Sequence, residues 1–404
     1  MKALVYNEIK LFFSKKNVFL MLLAILSVLL IFQFYYVKLY KEYPSVKMEE
    51  LQSEINNATV WYERYSNQLE TLYNESPEHE SISSLEFMAD VWSVNLNNLN
   101  FLKILWENSH KNELKIQEVN QKLDNNLVRV FEQKIDVRGS NLYRTNERDW
   151  NKRMLLMKEY GKDEQLPEIN PNRPDGFYII NQAINGESPF SLVFIFLFIL
   201  LNYDIWSLDF ENETIRLIFT LPFSKKRIYL TRFFSRFILS LCAVVLCLIV
   251  LFFLGNIQFG LGLDRYGIIN EKAVQTFGFF ETSGDMFFSS DKVVSMLGIT
   301  MYTFTVFVAY IFLIYSLVQL VSYISKNQMI SFLLPLTGLI TLMTYLLLPR
   351  DTHNVGYNVF LYLQTQKLFD GSLGIGLLLA LFILILSSLL MFAISMFTLM
   401  KREQ

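Results

Sequence analysis

The sequence has 404 residues, of which 52% are hydrophobic and 18% are charged, with a formal net charge of −2. Residues 38–187 hold 18 basic and 25 acidic residues, more than half of all the charges, so the rest of the chain is apolar enough for lipid and a single soluble globule is excluded. The charge balance provides no basic surface for nucleic acid, and no nucleic-acid partner is expected. The three histidines are scattered singly and both cysteines lie in one apolar run, so neither a metal site nor a disulfide framework is expected.

Six apolar stretches are long enough to cross a bilayer, whose hydrocarbon core takes roughly 20 helical residues. Before the first of them, residues 1–16 are predicted to form an amphipathic interfacial helix whose lysines face lipid headgroups. The predicted spans are residues 17–37, 189–208, 232–255, 293–325, 327–348 and 372–400. The expected fold class is an all-α membrane protein with six transmembrane helices.

The orientation follows from lysine and arginine in short loops, which concentrate on the cytoplasmic side of a membrane. Basic residues cluster in residues 1–16, in the loop 209–231, at Lys326 and in the tail 401–404. Six spans place all four on one side, so both termini are expected in the cytoplasm. Residues 256–292 and 349–371 then form an external loop and an external helical segment. The expected location is the cell membrane, as a multi-pass protein of a bacterial plasma membrane.

The charged segment, residues 38–188, is expected to be an extracytoplasmic helical domain between the first two spans. One apolar stripe has heptad spacing: Leu51, Ile55, Ala58, Tyr62, Tyr65, Leu69 and Leu72. A second has near-helical spacing: Leu85, Met88, Trp92, Leu96, Leu99, Leu102 and Trp106. These stripes predict a helical hairpin or small bundle that buries its own apolar residues. The alternative is that the aromatic-rich stripe also contacts a partner or a substrate that leaves the membrane.

The cytoplasmic loop between the second and third spans carries the most informative pattern. Residues 204–236 predict a helix that leaves the membrane, a short amphipathic helix, a turn and a basic segment that re-enters. Pro222 is expected to end the short helix, and Ser224 is expected to cap the next one. On this pattern alone, the loop is equally well explained as a positively charged loop that needs no partner.

The residue order in this loop resembles the coupling region of type-2 ABC transporter permeases. In that family a Glu is followed by Gly-Thr, a Leu-rich turn and Pro-hydrophobic-Ser-Arg. Two positions depart from the family pattern: Glu213 stands where Gly is usual, and Lys225 stands where Arg is usual. The resemblance implies an ATPase-coupling site made of Glu211, Glu213, Thr214, Arg216, Leu221, Pro222, Ser224 and Lys225, with Arg232 at the basic position that starts the next span.

The same resemblance implies a transport subunit without catalytic residues or cofactors of its own. The sequence contains no Gly-x-x-x-x-Gly-Lys-Ser/Thr loop, so ATP and Mg are expected in a separate ABC-type ATPase subunit, and this chain is not expected to be an enzyme. Membrane subunits of the family work in pairs. The expected partners are two copies of the ATPase, a second copy of this permease or a related permease, and membrane lipids.

Polar residues within the spans are candidates for a translocation pathway. They are Gln33, Asn202, Tyr203, Asp204, Gln319, Thr337, Thr341 and Thr344. Asp204 lies close to the loop, which favours a position at the membrane interface. Few charges lie within the spans, so we expect export of an amphipathic or hydrophobic substrate, such as a peptide, an antimicrobial compound or a lipid-like molecule. The alternative function is a membrane-anchored sensor or scaffold whose extracytoplasmic domain binds a ligand or partner.

Overall fold

The computed structural model describes residues 2–76, 79, 81–107, 113–132, 152, 154–156, 158–160, 170–220, 222–279, 290–347 and 358–401. The chain divides into two compact units. We call Met1–Tyr36 together with Pro174–Gln404 the membrane unit, and Val37–Arg173 the insert unit.

The described elements are mostly helices, with two short strands. In chain order they are α1 (Lys2–Phe12), α2 (Lys15–Ile31), a π-helical turn (Phe32–Tyr36), α3 (Val37–Glu75), α4 (Ile82–Glu107), α5 (Glu113–Glu132), α6 (Gly176–Ile184), α7 (Pro189–Asn202), α8 (Ser207–Glu211), α9 (Ile215–Phe219), α10 (Lys225–Phe259), β1 (Tyr266–Asn270), α11 (Glu271–Gln275), β2 (Asp291–Ser295), α12 (Met296–Ser325), α13 (Gln328–Leu347), a 3-10 turn (Val359–Leu363), α14 (Thr365–Phe369) and α15 (Leu377–Lys401).

Within the described residues, five helical stretches are long and apolar enough to cross a membrane. They are Lys15–Glu75, Pro189–Glu211, Lys225–Phe259, Met296–Ser325 and Leu377–Thr398. The predicted span 327–348 overlaps α13, whose described apolar part, Gln328–Gly338, is shorter than the other five. A largely helical membrane protein is therefore confirmed. The count of six spans, their orientation and the external position of residues 38–188 stay predictions.

A two-stranded antiparallel sheet was absent from the sequence prediction. β1 pairs with β2 from Tyr266 opposite Ser295 to Asn270 opposite Asp291. The sheet lies largely within the predicted loop 256–292, and β2 occupies the first residues of the predicted span 293–325. The α12 helix consequently begins at Met296 rather than at residue 293.

Helices α2 and α7 are held together at both ends by polar side chains. At one end, Lys16 Nζ lies 2.6 Å from Asp204 Oδ2, just beyond α7. At the other end, the hydroxyl groups of Tyr36 and Ser188 are 2.8 Å apart, and the Tyr36 ring stacks on Phe190 with centroids 5.0 Å apart. Twenty residues of helix separate Lys16 from Tyr36, about 30 Å at 1.5 Å per residue. That length equals the thickness of the hydrocarbon core.

The segment before α6 is fixed by a buried ion pair. The Asp175 side chain is 0% exposed; it accepts a hydrogen bond from Tyr178 N as the cap of α6 and lies 2.9 Å from Arg265 Nη1. The Arg265 guanidinium lies 4.3 Å from the centroid of the Tyr178 ring, and burial raises the pKa of this phenol above its ordinary value. Gly262 has φ +74°, and a Cβ there would lie 2.0 Å from Asp175 Oδ1, so only glycine fits this close approach.

The insert unit has a core formed by α3, α4 and α5. Leu51, Ile55 and Ala58 of the predicted heptad stripe are buried in this core. The prediction for Tyr62 is wrong, because its side chain is exposed and Trp61 packs on the core instead, with its ring 6.2 Å from that of Trp92. The second predicted stripe is buried on α4 at Met88, Trp92, Leu99, Leu102 and Trp106.

Candidate functional site

The loop 209–231, which we call the coupling segment, contains two short helices and a left-handed turn. The α8 helix ends at Glu211, and the Glu213 N–H bonds to Phe210 O as the chain turns. Glu213 has φ +56°, a left-handed conformation that favours glycine. It therefore adopts a glycine-like conformation at the position where the resembling family usually has Gly. Ser224 stands at the cap position of α10, but its side chain makes no capping hydrogen bond.

Four charged residues, three of them buried and Asp209 half-buried, join the coupling segment to α1 and α10. Asp209 is ion-paired with Arg232, and Glu8 on α1 lies 3.4 Å from Arg232 Nε and 3.2 Å from Arg236 Nε. Arg232 and Arg236 are one helical turn apart, so both guanidinium groups reach the same carboxylate. We call these four residues the charge cluster. Its two positive and two negative charges balance, as burial requires.

Thr214 binds the charge cluster from the left-handed turn. Its hydroxyl group donates a 2.9 Å hydrogen bond to Asp209 Oδ1. The threonine of the motif therefore holds the carboxylate that pairs with Arg232.

Trp206 connects the charge cluster to the buried interior of the membrane unit. Its side chain is 0% exposed, its ring stacks on Tyr229 with centroids 5.7 Å apart, and the Arg232 guanidinium lies 4.7 Å from its centroid. The indole N–H donates to Gln319 Oε1 on α12 at 2.8 Å, and the Trp206 backbone N–H donates to Ser322 Oγ at 3.2 Å. These bonds attach the start of α8 directly to α12.

Glu211 joins the coupling segment to the turn between α12 and α13. Its carboxylate accepts hydrogen bonds from Gln328 N at 2.7 Å and from Gln328 Nε2 at 2.5 Å. Gln328 is the first residue of α13, so the carboxylate lies at the positive end of that helix. Lys326 in this turn also has a left-handed backbone, with φ +54°, and its ammonium group lies 5.6 Å from the Phe210 ring centroid.

The opposite side of the coupling segment is exposed. Leu217 on α9 is 68% exposed. The other exposed residues of this face include Asn212, Glu213, Arg216, Thr220, Pro222, Lys226 and Arg227. Leu221 lies outside the described residues. A segment bonded firmly on one side and open on the other can receive a partner and transmit its displacement to α1, α12 and α13 together.

The structure does not gather the candidate pathway residues into one site. Asn202 Nδ2 donates to Ser240 Oγ at 2.8 Å inside the bundle, and Gln319 Oε1 accepts a hydrogen bond from the Trp206 indole. The hydroxyl groups of Thr337 and Thr341 donate to the backbone of their own helix. Gln33 is exposed in the π-helical turn, and the side chain of Thr344 lies outside those that the structure describes.

Tyr203 and Asp204 form a separate contact with Lys16 at the end of α7. The Lys16 ammonium group donates to Asp204 Oδ2 at 2.6 Å and to Tyr203 Oη at 3.1 Å, and it lies 4.3 Å from the Tyr203 ring centroid. Lys16, predicted to face lipid headgroups, is therefore engaged with the protein. Phe12, at the end of α1, is buried, and its ring centroid lies 5.8 Å from the Arg236 guanidinium.

Sequence reasoning missed five parts of the coupling site: Glu8, Trp206, Asp209, Arg236 and Gln328. One signal was present for Glu8, which is the only acidic residue among the four lysines of residues 1–16. Within the described part of the chain, no group of three or more His, Cys, Asp and Glu residues is arranged to hold a metal ion.

Comparison with known proteins identifies a family for this chain. The family model described as ABC-2 family transporter protein matches residues 15–403, which is nearly the whole chain. Searches of the curated proteins and of the solved structures found no match.

Proposed function

This chain belongs to the ABC-2 family of transporter proteins and is a membrane permease subunit, and we propose that a separate ABC-type ATPase drives it to export an amphipathic or hydrophobic substrate. The ATPase would bind ATP and Mg and dock on the exposed face of the coupling segment. The observation that carries this proposal is the two-sided character of residues 209–231: Leu217 is 68% exposed, while Asp209 is bonded to α10 and Glu211 to α13.

The proposed assembly contains two ATPase subunits and a second copy of this permease or a related one. Six spans would place both termini and the coupling segment in the cytoplasm, with residues 38–188 outside the cell. The basic residues Arg216, Lys226 and Arg227 support this orientation, because exposed lysine and arginine beside a span favour the cytoplasmic side.

The proposed mechanism is a shift between two conformations. Closure of an ATPase pair on bound ATP would displace the coupling segment. ATP can shift the equilibrium between the two conformations of the transporter only as far as these conformations differ in their affinity for ATP. The charge cluster would pass the displacement to α1 and α10, while Glu211 would pass it to the start of α13 through Gln328. The contacts of Trp206 with α12 would make the interior follow the same movement.

A substitution on the exposed face tests the docking step. We expect Leu217→Asp to weaken copurification of this chain with the proposed ABC-type ATPase, because a charge at a buried apolar contact costs at least about 2 kcal/mol, or about 30-fold in affinity. Leu217 makes no contribution to the buried core, so the fold of the permease is expected to persist.

Leu263→Asp is the matched control, because Leu263 is 54% exposed in the loop between α10 and β1, outside the coupling segment. It is expected to leave copurification unchanged. Equal ATPase recovery with Leu217→Asp and with the unsubstituted chain would refute docking at this face.

A further inference from the structure

A groove opens between α7 and α13, beside the contact of Glu211 with Gln328. Its volume is about 280 Å³, and it is lined by Leu200, Tyr203, Gln328, Met329 and Phe332. The rings of Tyr203 and Phe332 lie 5.4 Å apart and form an aromatic wall, and Met329 is 69% exposed at its edge. An apolar, aromatic groove with few polar groups is typical of sites for small amphipathic ligands.

One wall of the groove is also part of an ammonium-binding site. Tyr203 presents its hydroxyl group and its ring to the Lys16 ammonium, at 3.1 Å and 4.3 Å, and Asp204 contributes a carboxylate oxygen at 2.6 Å. A carboxylate, a phenol oxygen and an aromatic ring are the groups that recognise a primary amine in proteins. Lys16 thus shows that this arrangement accommodates such an amine.

The two partners of this ion pair differ in their freedom to move. The Lys16 side chain is 42% exposed and sits on a flexible stem, whereas the Asp204 side chain is only 16% exposed. The ammonium group can return to water, but its departure leaves Asp204 unpaired, and that cost is avoided only when another cation takes its place. The less exposed carboxylate remains in place and retains its need for a cation.

A second carboxylate lies close to the groove on its α13 side. Glu211 accepts two hydrogen bonds from Gln328, which is itself a lining residue. When Lys16 leaves, the groove is bordered by Asp204 and Glu211, so it favours a cation over a neutral or anionic molecule.

We propose that this groove binds a primary amine carried on an apolar body, with its ammonium group on Asp204 and Tyr203 in place of Lys16. The apolar part lies against Phe332 and Met329. The proposal rests on the proposed transport function, for which it names the substrate class, a cationic amphiphile. Lys16 is then a competitor that occupies the site until the substrate displaces it.

The test measures binding of dansylcadaverine, a primary amine linked to an aromatic group, to the full chain in nanodiscs of phosphatidylcholine and phosphatidylglycerol. Fluorescence anisotropy gives the dissociation constant, with empty nanodiscs subtracted and the N-acetylated probe as the neutral control. We expect the amine to bind about tenfold more tightly than its acetylated form, because a charge-assisted hydrogen bond and a cation–π contact are lost on acetylation.

Variants on the two sides of the ion pair have opposite expected effects. Lys16→Met is expected to tighten binding of the amine several-fold, whereas Asp204→Asn is expected to weaken it about tenfold without changing binding of the acetylated probe. Phe332→Ala is expected to weaken both probes. Lys15→Met, which removes the same charge one residue away, is the matched control and is expected to change neither.

The result that would overturn the proposal is tighter or unchanged binding with Asp204→Asn, or equal effects of Lys16→Met and Lys15→Met. If Lys16→Met loses its helical circular-dichroism signal, that variant has unfolded and its binding data are not used. The proposal is then tested by the binding of the amine and of the acetylated probe to Asp204→Asn and Phe332→Ala. Addition of phosphatidylethanolamine to the nanodiscs distinguishes two sources of the amine: competition identifies a lipid, and lack of competition identifies a soluble amphiphile. The assay contains no ATPase, so its failure is distinct from a failure of docking at Leu217.

Discussion

Substitution of Glu8 by Gln removes one of the two negative charges that balance Arg232 and Arg236. Glu8 lies 3.2–3.4 Å from a guanidinium nitrogen of each arginine, and both arginine side chains are at most 8% exposed. At an effective dielectric constant of about 20, each contact contributes about 5 kcal/mol of attraction. Most of this is offset because the neutral amide is cheaper to bury and still accepts one hydrogen bond, and loss of one partner of a buried pair costs about 3–5 kcal/mol. We expect Glu8→Gln to destabilise the membrane unit by about 3 kcal/mol, at the lower end of that range.

The two cysteines of α10 offer a local assay of this loss. Cys247 is buried and Cys242 is exposed, so in a Cys242→Ser background the alkylation rate of Cys247 reports opening of the helices around α10. A loss of 3 kcal/mol corresponds to an increase of about 100-fold in this rate, since each 1.4 kcal/mol is a factor of ten.

A matched carboxylate and a double substitution test the reasoning. Glu42→Gln removes the charge of an exposed pair, Lys38–Glu42, and is expected to change stability by less than about 0.5 kcal/mol. Combining Glu8→Gln with Arg236→Met is expected to cost less than the two single losses together, because the second change removes a charge that the first left unpaired. Additive losses, or equal effects of Glu8→Gln and Glu42→Gln, would refute the role of the charge cluster.

Two further predictions concern backbone conformation and use the same thiol assay. Glu213→Gly is expected to stabilise the turn by about 0.5–1 kcal/mol, because φ is +56° there and glycine adopts this conformation without strain. Glu213→Ala retains the strain and is expected to give no gain in stability. A gain with alanine would count against this explanation. Gly262→Ala is expected to cost at least about 3 kcal/mol, because its Cβ would displace Asp175 from a buried ion pair. Gly260→Ala, at φ +89° with no atom within 4 Å of the added Cβ, carries only the backbone strain of about 1–3 kcal/mol. Equal losses at the two glycines would contradict the proposed clash.

Apolar length predicted the helices well, but not where they end. A spanning stretch is recognised because it lacks charges, yet backbone hydrogen bonding does not stop at the edge of the lipid. The α10 helix therefore begins within the basic part of the coupling segment and runs to Phe259, four residues past the predicted span. The strands β1 and β2 were missed because about 20 residues separate them, and the short-range turn signals of a tight hairpin are absent.

In the insert unit, the heptad pattern predicted the buried face of α3 for its first turns and then misplaced one residue. A strict seven-residue repeat drifts by about 20° per heptad on a straight helix. The larger indole of Trp61 stacks on Trp92, so the core takes Trp61 where the repeat placed Tyr62.

The coupling segment was recognisable from local order, but its contacts were not. Glu211 and Gln328 are 117 residues apart, and Glu8 and Arg236 are 228 residues apart. No local spacing rule joins such positions, and only the tertiary packing of α1, α10 and α13 brings them together. The left-handed Glu213 was marked in the sequence only as a departure from the glycine of the family pattern.

The distance along the chain between Glu8 and its arginines also sets an order for biogenesis. Glu8 emerges from the ribosome 228 residues before Arg236. At a synthesis rate of about 5–20 residues per second, its carboxylate waits roughly 10–45 s for a counter-ion. During that time α1 must keep Glu8 in water or among lipid headgroups, because an unpaired carboxylate is too costly to bury. Closure of α1 onto α10 is therefore possible only after the first part of α10 has been synthesised.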